Sequence, residues 1–158
     1  MKKGKLQQAF DPDIMISSDD IERNGLKWCT VDEIRETLVD REPLIVNTSL
    51  RSQEGSHWIV LYPVDSEILI IDPLGARNDR LNEKVMKKQL KDYDIEFYDG
   101  KFQDPKTSLC GWFAIAVSKE IEGSDTIDEA SEKTFELFGR TADDSDARKL
   151  IERFGVKQ

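Results

Sequence analysis

Histidine occurs once in the 158 residues, at position 57, and cysteine twice, at positions 29 and 110. A single imidazole cannot complete the usual zinc sets, and no group of Cys and His has metal-ligand spacing, so neither a metal nor another cofactor is expected. Two thiols allow at most one disulfide, which is no disulfide scaffold; the reducing interior of a cell is the simpler home. No apolar run approaches the roughly 20 residues needed to span a bilayer, so no membrane contact is expected. The basic start Met1-Lys2-Lys3-Gly4-Lys5 is not followed by the apolar stretch of a secretory signal. Positive charge is also in short supply. The chain has 23 Lys and Arg against 32 Asp and Glu, a formal net charge of −9, which argues against a generic nucleic-acid binder.

What is present is polar but foldable. Hydrophobic residues make up 38% and charged residues 35%, which is a globular rather than a disordered balance. The length suits one domain over residues 1–158, expected to be a monomer. Residues 1–25 are polar and end in the turn signal Asn24-Gly25, so they read as an irregular arm. Thr30 and Glu33 have capping-box spacing and open a short helix to about Leu38. Leu44-Ile45-Val46 is a short apolar run with β-branched residues and reads as a buried strand.

The next stretch is the most legible. His57-Trp58-Ile59-Val60-Leu61-Tyr62 and Glu67-Ile68-Leu69-Ile70-Ile71-Asp72 are both apolar and β-prone, and Pro63-Val64-Asp65-Ser66 between them has turn chemistry. They predict an antiparallel hairpin. Downstream, Asn78 to Lys91 reads as a helix, Ile95 to Tyr98 as a strand and Asp99-Gly100 as a turn. Ser108 to Ile121 reads as a helix apolar on nearly every face, hence central, with Gly123 as its stop. Two amphipathic helices are expected at Ile127–Phe138 and Asp144–Phe154. Helices packed on a mostly antiparallel sheet give an α+β class.

Arg77, Arg80, Lys84, Lys87, Lys88 and Lys91 recur at three- and four-residue steps and would form one basic stripe on a helix. Asp79, Glu83 and Asp92 are interspersed, which favours a solvated face over a weak polyanion contact.

The chemistry lies in the hairpin and the central helix. If the turn pairs Tyr62 with Glu67, five steps outward on each strand reach His57 and Asp72. Directly opposed residues have Cβ atoms about 4.5–5.5 Å apart, so an imidazole–carboxylate hydrogen bond is in reach. A carboxylate there fixes the tautomer of the imidazole and supports its protonated form. Cys110, in Thr107-Ser108-Leu109-Cys110-Gly111, falls in the first turn of the central helix, where the helix dipole and a nearby imidazolium favour the thiolate. Gly111 leaves the approach to the sulfur open for an extended substrate backbone. Thiol, base and orienting acid are the parts of covalent acyl transfer. Such chemistry also needs donors for an oxyanion, and the Cys110 backbone N–H and the Gln103 side chain, seven residues earlier, are candidates. Trp58, beside the histidine, is a candidate for shaping the cleft entrance. Cys29 reads as structural, because no second histidine exists to activate it.

These segments resemble a known family. Ile45-Val46-Asn47-Thr48-Ser49-Leu50-Arg51-Ser52-Gln53-Glu54-Gly55-Ser56-His57-Trp58, Ile71-Asp72-Pro73-Leu74-Gly75 and Gln103-Asp104-Pro105-Lys106-Thr107-Ser108-Leu109-Cys110-Gly111 are similar to the motifs of the adenovirus protease (adenain) family. SUMO-specific proteases share the His-Trp, Asp, Gln and Cys-Gly order, as do maturation proteases of virophages, polintons and large DNA viruses. The likeness covers roughly residues 43–121. It implies a papain-like cysteine endopeptidase with His57, Asp72, Gln103 and Cys110 as catalytic residues. The implied substrates are capsid or other virion precursor proteins, cut after small Gly-containing motifs in the virion or the infected cell's cytoplasm or nucleus. The acid is Asp, as in the SUMO proteases, where adenain has Glu. No counterpart is found for the cysteine that tethers adenain's activating peptide. Two alternatives use the same residues differently: an isopeptidase that removes SUMO-like or ubiquitin-like modifiers, and an inactive protease-like binding module.

Overall fold

The hairpin seeds the sheet in the computed structural model, which describes residues 18–48, 57–72, 83–98 and 110–138. Strands β3 (Trp58–Val64) and β4 (Glu67–Ile71) pair antiparallel from Val64↔Glu67 to Val60↔Ile71. Only Asp65 and Ser66 remain in the loop, and Asp65 takes a positive φ of 56°, which aspartate tolerates better than most residues. The four-residue turn expected from Pro63 is therefore corrected: Pro63 stays in β3 opposite Ile68. A reason is visible on its other side. The Pro63 carbonyl accepts from the Arg41 N–H at 2.8 Å, so its ring nitrogen faces the same way, beyond the last β2 pair at Leu44↔Leu61. The missing N–H thus costs no ladder bond. The register slides by two residues, an even number, so every side chain keeps its expected face.

Strand β2 (Leu44–Asn47) lies antiparallel on the other side of β3, with Asn47↔Trp58 as its last pair. Strands β1 (Lys27–Thr30) and β5 (Asp94–Phe97) add parallel to β2 and β4, giving the order β1-β2-β3-β4-β5. The sheet is mixed, two of its four pairings being parallel, which corrects the mostly antiparallel sheet expected. Parallel neighbours need crossovers, and helices supply them here. A 3-10 turn (Val31–Glu33) running into α2 (Ile34–Thr37) links β1 to β2, and α3 (Glu83–Gln89) lies between β4 and β5. The Thr30–Glu33 spacing acts as expected: the Glu33 carboxylate accepts from the Thr30 backbone N–H at 3.4 Å.

Alternation along the strands makes two cores. Leu44, Val46, Ile59, Leu61, Ile68 and Ile70 meet Ile34, Met86 and Leu90 on one side. Ile45, Trp58, Val60, Tyr62, Leu69 and Ile71 meet α1 (Ser18–Arg23), α4 (Cys110–Ile121) and α5 (Ile127–Phe138) on the other. Helices on both faces of a mixed sheet are an α+β arrangement. The Tyr62 hydroxyl donates to the Ser124 carbonyl at 2.6 Å and ties β3 to the connection between α4 and α5.

The end of the expected irregular arm is helical. Ile21 in α1 is fully buried, and Gly25, at φ +74°, closes the helix with N–H bonds from Gly25 to Glu22 and from Leu26 to Ile21. Gly123 repeats the left-handed stop after α4, at φ 80°. Of the basic stripe, Lys84, Lys87, Lys88 and Lys91 are exposed while Met86 and Leu90 point inward, the division of an amphipathic surface helix. Residues 1–17, Arg77, Arg80, the Asp99-Gly100 turn and the Asp144–Phe154 segment lie outside the described residues. Among the described residues no helix is long and apolar enough to cross a membrane.

Candidate active site

His57 immediately precedes β3 and Asp72 immediately follows β4, so both stand at the same end of the central hairpin. Continuing the register sets Asp72 opposite Ile59, and His57 is therefore its diagonal neighbour rather than its direct partner. Diagonal neighbours on one face are still within reach of long side chains. His57 Nε2 lies 2.7 Å from Asp72 Oδ1, with the two side chains 0% and 1% exposed. The pairing survives the shifted register because the slip is even.

The tautomer follows from the partner. A carboxylate can only accept, so the proton of the neutral ring sits on Nε2, and Nδ1 carries the lone pair. Excluded from water, that hydrogen-bonded carboxylate fixes which way the ring edge faces. The Thr48 N–H donates to the His57 carbonyl at 2.8 Å, carrying the β2–β3 ladder one step beyond the strand ends.

Cys110 is the first residue of α4 and Gly111 the second. Amides at a helix start lack intrahelical acceptors, and the dipole there favours negative charge. Helix α4 packs against β3 and β2. Trp58, next to His57, and Trp112, two residues after Cys110, belong to one core cluster. The Trp58 ring is only 7% exposed and meets Trp28 edge to face, with centroids 5.9 Å apart at 78°. Trp28 in turn donates from Nε1 to the Glu22 carboxylate at 2.8 Å, linking α1 to β1. Gln103 lies outside the described residues. Among the described residues no group of His, Cys, Asp and Glu side chains is arranged to hold a metal ion.

Cys29 has none of the features that activate a thiol. It is buried in the core on β1, and burial pushes its pKa up from 9.0 to about 12; the acidic side chains of Glu33, Asp32 and Glu36 add to the rise, and only a hydrogen bond with Thr37 opposes it. Below pH 9 both folded and unfolded chains hold this proton, so the group is silent. Above it the unfolded chain releases the proton first, so stability falls with pH until about 12, by up to about 1.4 kcal/mol per pH unit from this thiol. The stability gap between wild type and Cys29→Ala, from urea unfolding, is expected to narrow as pH rises from 9. A constant gap over that range would remove the effect.

Two buried polar residues beside the pair carried no role in the sequence reading. Asn47, the last residue of β2, and Thr48, which follows it, are 4% and 3% exposed. Their signal was a polar pair closing an apolar strand, a place where buried polar groups require partners.

Compared with models of protein families and with curated proteins, the chain matches none.

Proposed function

We propose that the chain is a papain-like cysteine endopeptidase of the adenain type. It would cut capsid or other virion precursor proteins after small Gly-containing motifs, in the virion or the infected cell. The observation that carries this reading is the buried His57–Asp72 hydrogen bond, 2.7 Å long, at one end of a sheet whose packed helix begins at Cys110. The motif order of His57-Trp58, Asp72, Gln103 and Cys110-Gly111 agrees with it.

The reaction runs as follows. His57 Nδ1 takes the Cys110 thiol proton, and the thiolate attacks the scissile carbonyl carbon. The oxyanion is held by the Cys110 backbone N–H and the Gln103 carboxamide. The imidazolium then gives its proton to the leaving amine, and the C–N bond breaks to leave a thioester on Cys110. Water, deprotonated by His57, attacks the thioester, releases the acid product and restores the thiol. Asp72 keeps the ring oriented throughout and does not itself take a proton.

The test pairs two assays. A peptide ending in Gly-Gly-X is expected to be cleaved, with SUMO- and ubiquitin-fluorophore substrates turned over slowly. Iodoacetamide near pH 7 is expected to label Cys110 much faster than Cys29, and His57→Ala is expected to slow Cys110 labelling. Rapid turnover of the modifier substrates alone would make the chain a deconjugating isopeptidase. Equal, slow labelling of both thiols would make it an inert binding module.

A further inference from the structure

We propose that the exposed lysine row beginning on α3 docks on the exposed acidic row of α5 in a second copy, so that copies of this chain associate head to tail. The inference concerns the two faces of the sheet and is independent of the protease reading.

Cations are scarce in this chain, 23 against 32 acidic residues, so each lysine or arginine has anions in plenty. Among the described residues, Arg23, Lys27, Arg35, Arg41, Lys119 and Lys133 each hold a carboxylate at 3.0 to 3.2 Å. Lys84, Lys88 and Lys91 are exposed and hold none among the described residues. They stand four and three residues apart, in one row that runs from α3 into the turn after it.

Helix α5 carries the opposite row. Asp128, Glu132 and Glu136 are exposed at four-residue steps, while the nearby Lys133 is held by Glu129 at 3.2 Å. Like charges four residues apart weaken a helix, and carboxylates near its C-terminal end oppose the dipole. The last turn of α5 has no basic residue to offset them. An opposing cationic surface would. Four helical residues rise about 6 Å, so lysines and carboxylates can face each other along the two rows.

Each row has an apolar side chain on its own side of the sheet. Phe135, 44% exposed, lies between Glu132 and Glu136 in α5. Ile95, 36% exposed, pairs with Ile68 and so faces the side on which α3 packs through Met86. Helix α5 packs on the other side through Ile127 and Ala130. Rows on opposite sides cannot both be joined in one two-fold contact, so the contact is heterologous and leaves a row open for the next copy. His57 and Asp72 stand at strand ends between the two sides, and stacking leaves them uncovered. Exposed ion pairs contribute little one by one, so the association is weak. The net charge of −9 repels copies at long range, a repulsion largely screened at about 0.1 M salt, where the Debye length is about 10 Å.

Sedimentation velocity of the full-length chain over a concentration series tests this. At about 0.1 M salt the weight-average mass of wild type is expected to climb with concentration past that of a dimer, and at about 1 M salt to stay monomeric. Lys84→Glu/Lys88→Glu and Glu132→Lys/Glu136→Lys are each expected to abolish the climb, and an equimolar mixture of the two variants to restore it. All four positions are exposed, so the fold is expected to remain, which thermal unfolding checks. Glu132→Lys/Glu136→Lys also lowers the net negative charge, so charge repulsion alone predicts more association where the proposal predicts less. If a reversal does not fold, Lys84→Gln/Lys88→Gln or Glu132→Gln/Glu136→Gln is expected to reduce the climb instead. A monomeric wild type at about 0.1 M salt, a plateau at the dimer mass, or an undiminished climb in the folded variants would overturn the proposal. A monomeric wild type whose rows bind heparin or poly-lysine would overturn it in favour of a polyanion or a basic partner.

Discussion

Replacing Cys110 with alanine is expected to lower hydrolysis of the Gly-Gly-X peptide by at least about 10⁴-fold, to the limit of detection. Under the proposed mechanism the nucleophile has no substitute among the two thiols of this chain. Cys29 sits in the core with its pKa pushed up to about 12, so its thiolate fraction at neutral pH is negligible. Cleavage cannot fall back on the other thiol. The substitution is mild for the fold, since alanine is the best helix former and Cys110 begins α4. Thermal unfolding should therefore stay close to wild type while turnover vanishes. His57→Ala should give a loss of similar size, and combining the two should cost little more, because base and nucleophile act as a unit. Measurable turnover by a folded Cys110→Ala protein would take the reaction away from this residue.

Asp72→Ala is expected to reduce kcat about 10²- to 10³-fold, with a much smaller effect in the His57→Ala background. Under the proposed mechanism the carboxylate reaches the reaction only through the imidazole. Removing it leaves Nε2 of a fully buried ring without its 2.7 Å acceptor, so the ring can protonate on either nitrogen and the imidazolium loses its counter-charge. Asp72→Asn separates these two losses. A carboxamide oxygen still accepts from Nε2–H but carries no charge, so this variant should retain more activity than Asp72→Ala. Steady-state kinetics on wild type, both Asp72 variants, His57→Ala and the Asp72→Ala/His57→Ala double variant decide the matter. Equal kcat in wild type and a folded Asp72→Ala would remove the orienting role.

The sequence shows the site before it shows the sheet. The His57–Asp72 pair was legible because a hairpin is local: two apolar runs and a turn bring residues 15 positions apart together. The turn itself was misread, since Pro63 looks like punctuation unless one knows that its nitrogen faces an end of the sheet with no partner strand. Parity rescued the pairing. Helix α5 runs over Ile127–Phe138 as expected, because its apolar residues recur with helical spacing. Strand β1 was missed. Lys27-Trp28-Cys29-Thr30 is short and mixed, and becomes a strand only by lying parallel beside β2, a contact that no local pattern announces. The parallel pairings were illegible for the same reason. Thr48 needed the register of a third strand before it could be placed opposite His57.

The division of the molecule into two cores has a consequence for the life of the chain during synthesis. The imidazole and its acid arise within one hairpin, whereas Cys110 opens an element translated later and docked on one face of the sheet. Under the proposed mechanism, a nascent or half-unfolded copy owns either the base or a settled helix, and neither alone can cut a peptide bond. Competence would come only with the last docking step, so damaged copies are disarmed by the same event that exposes them, and neighbouring precursors are spared.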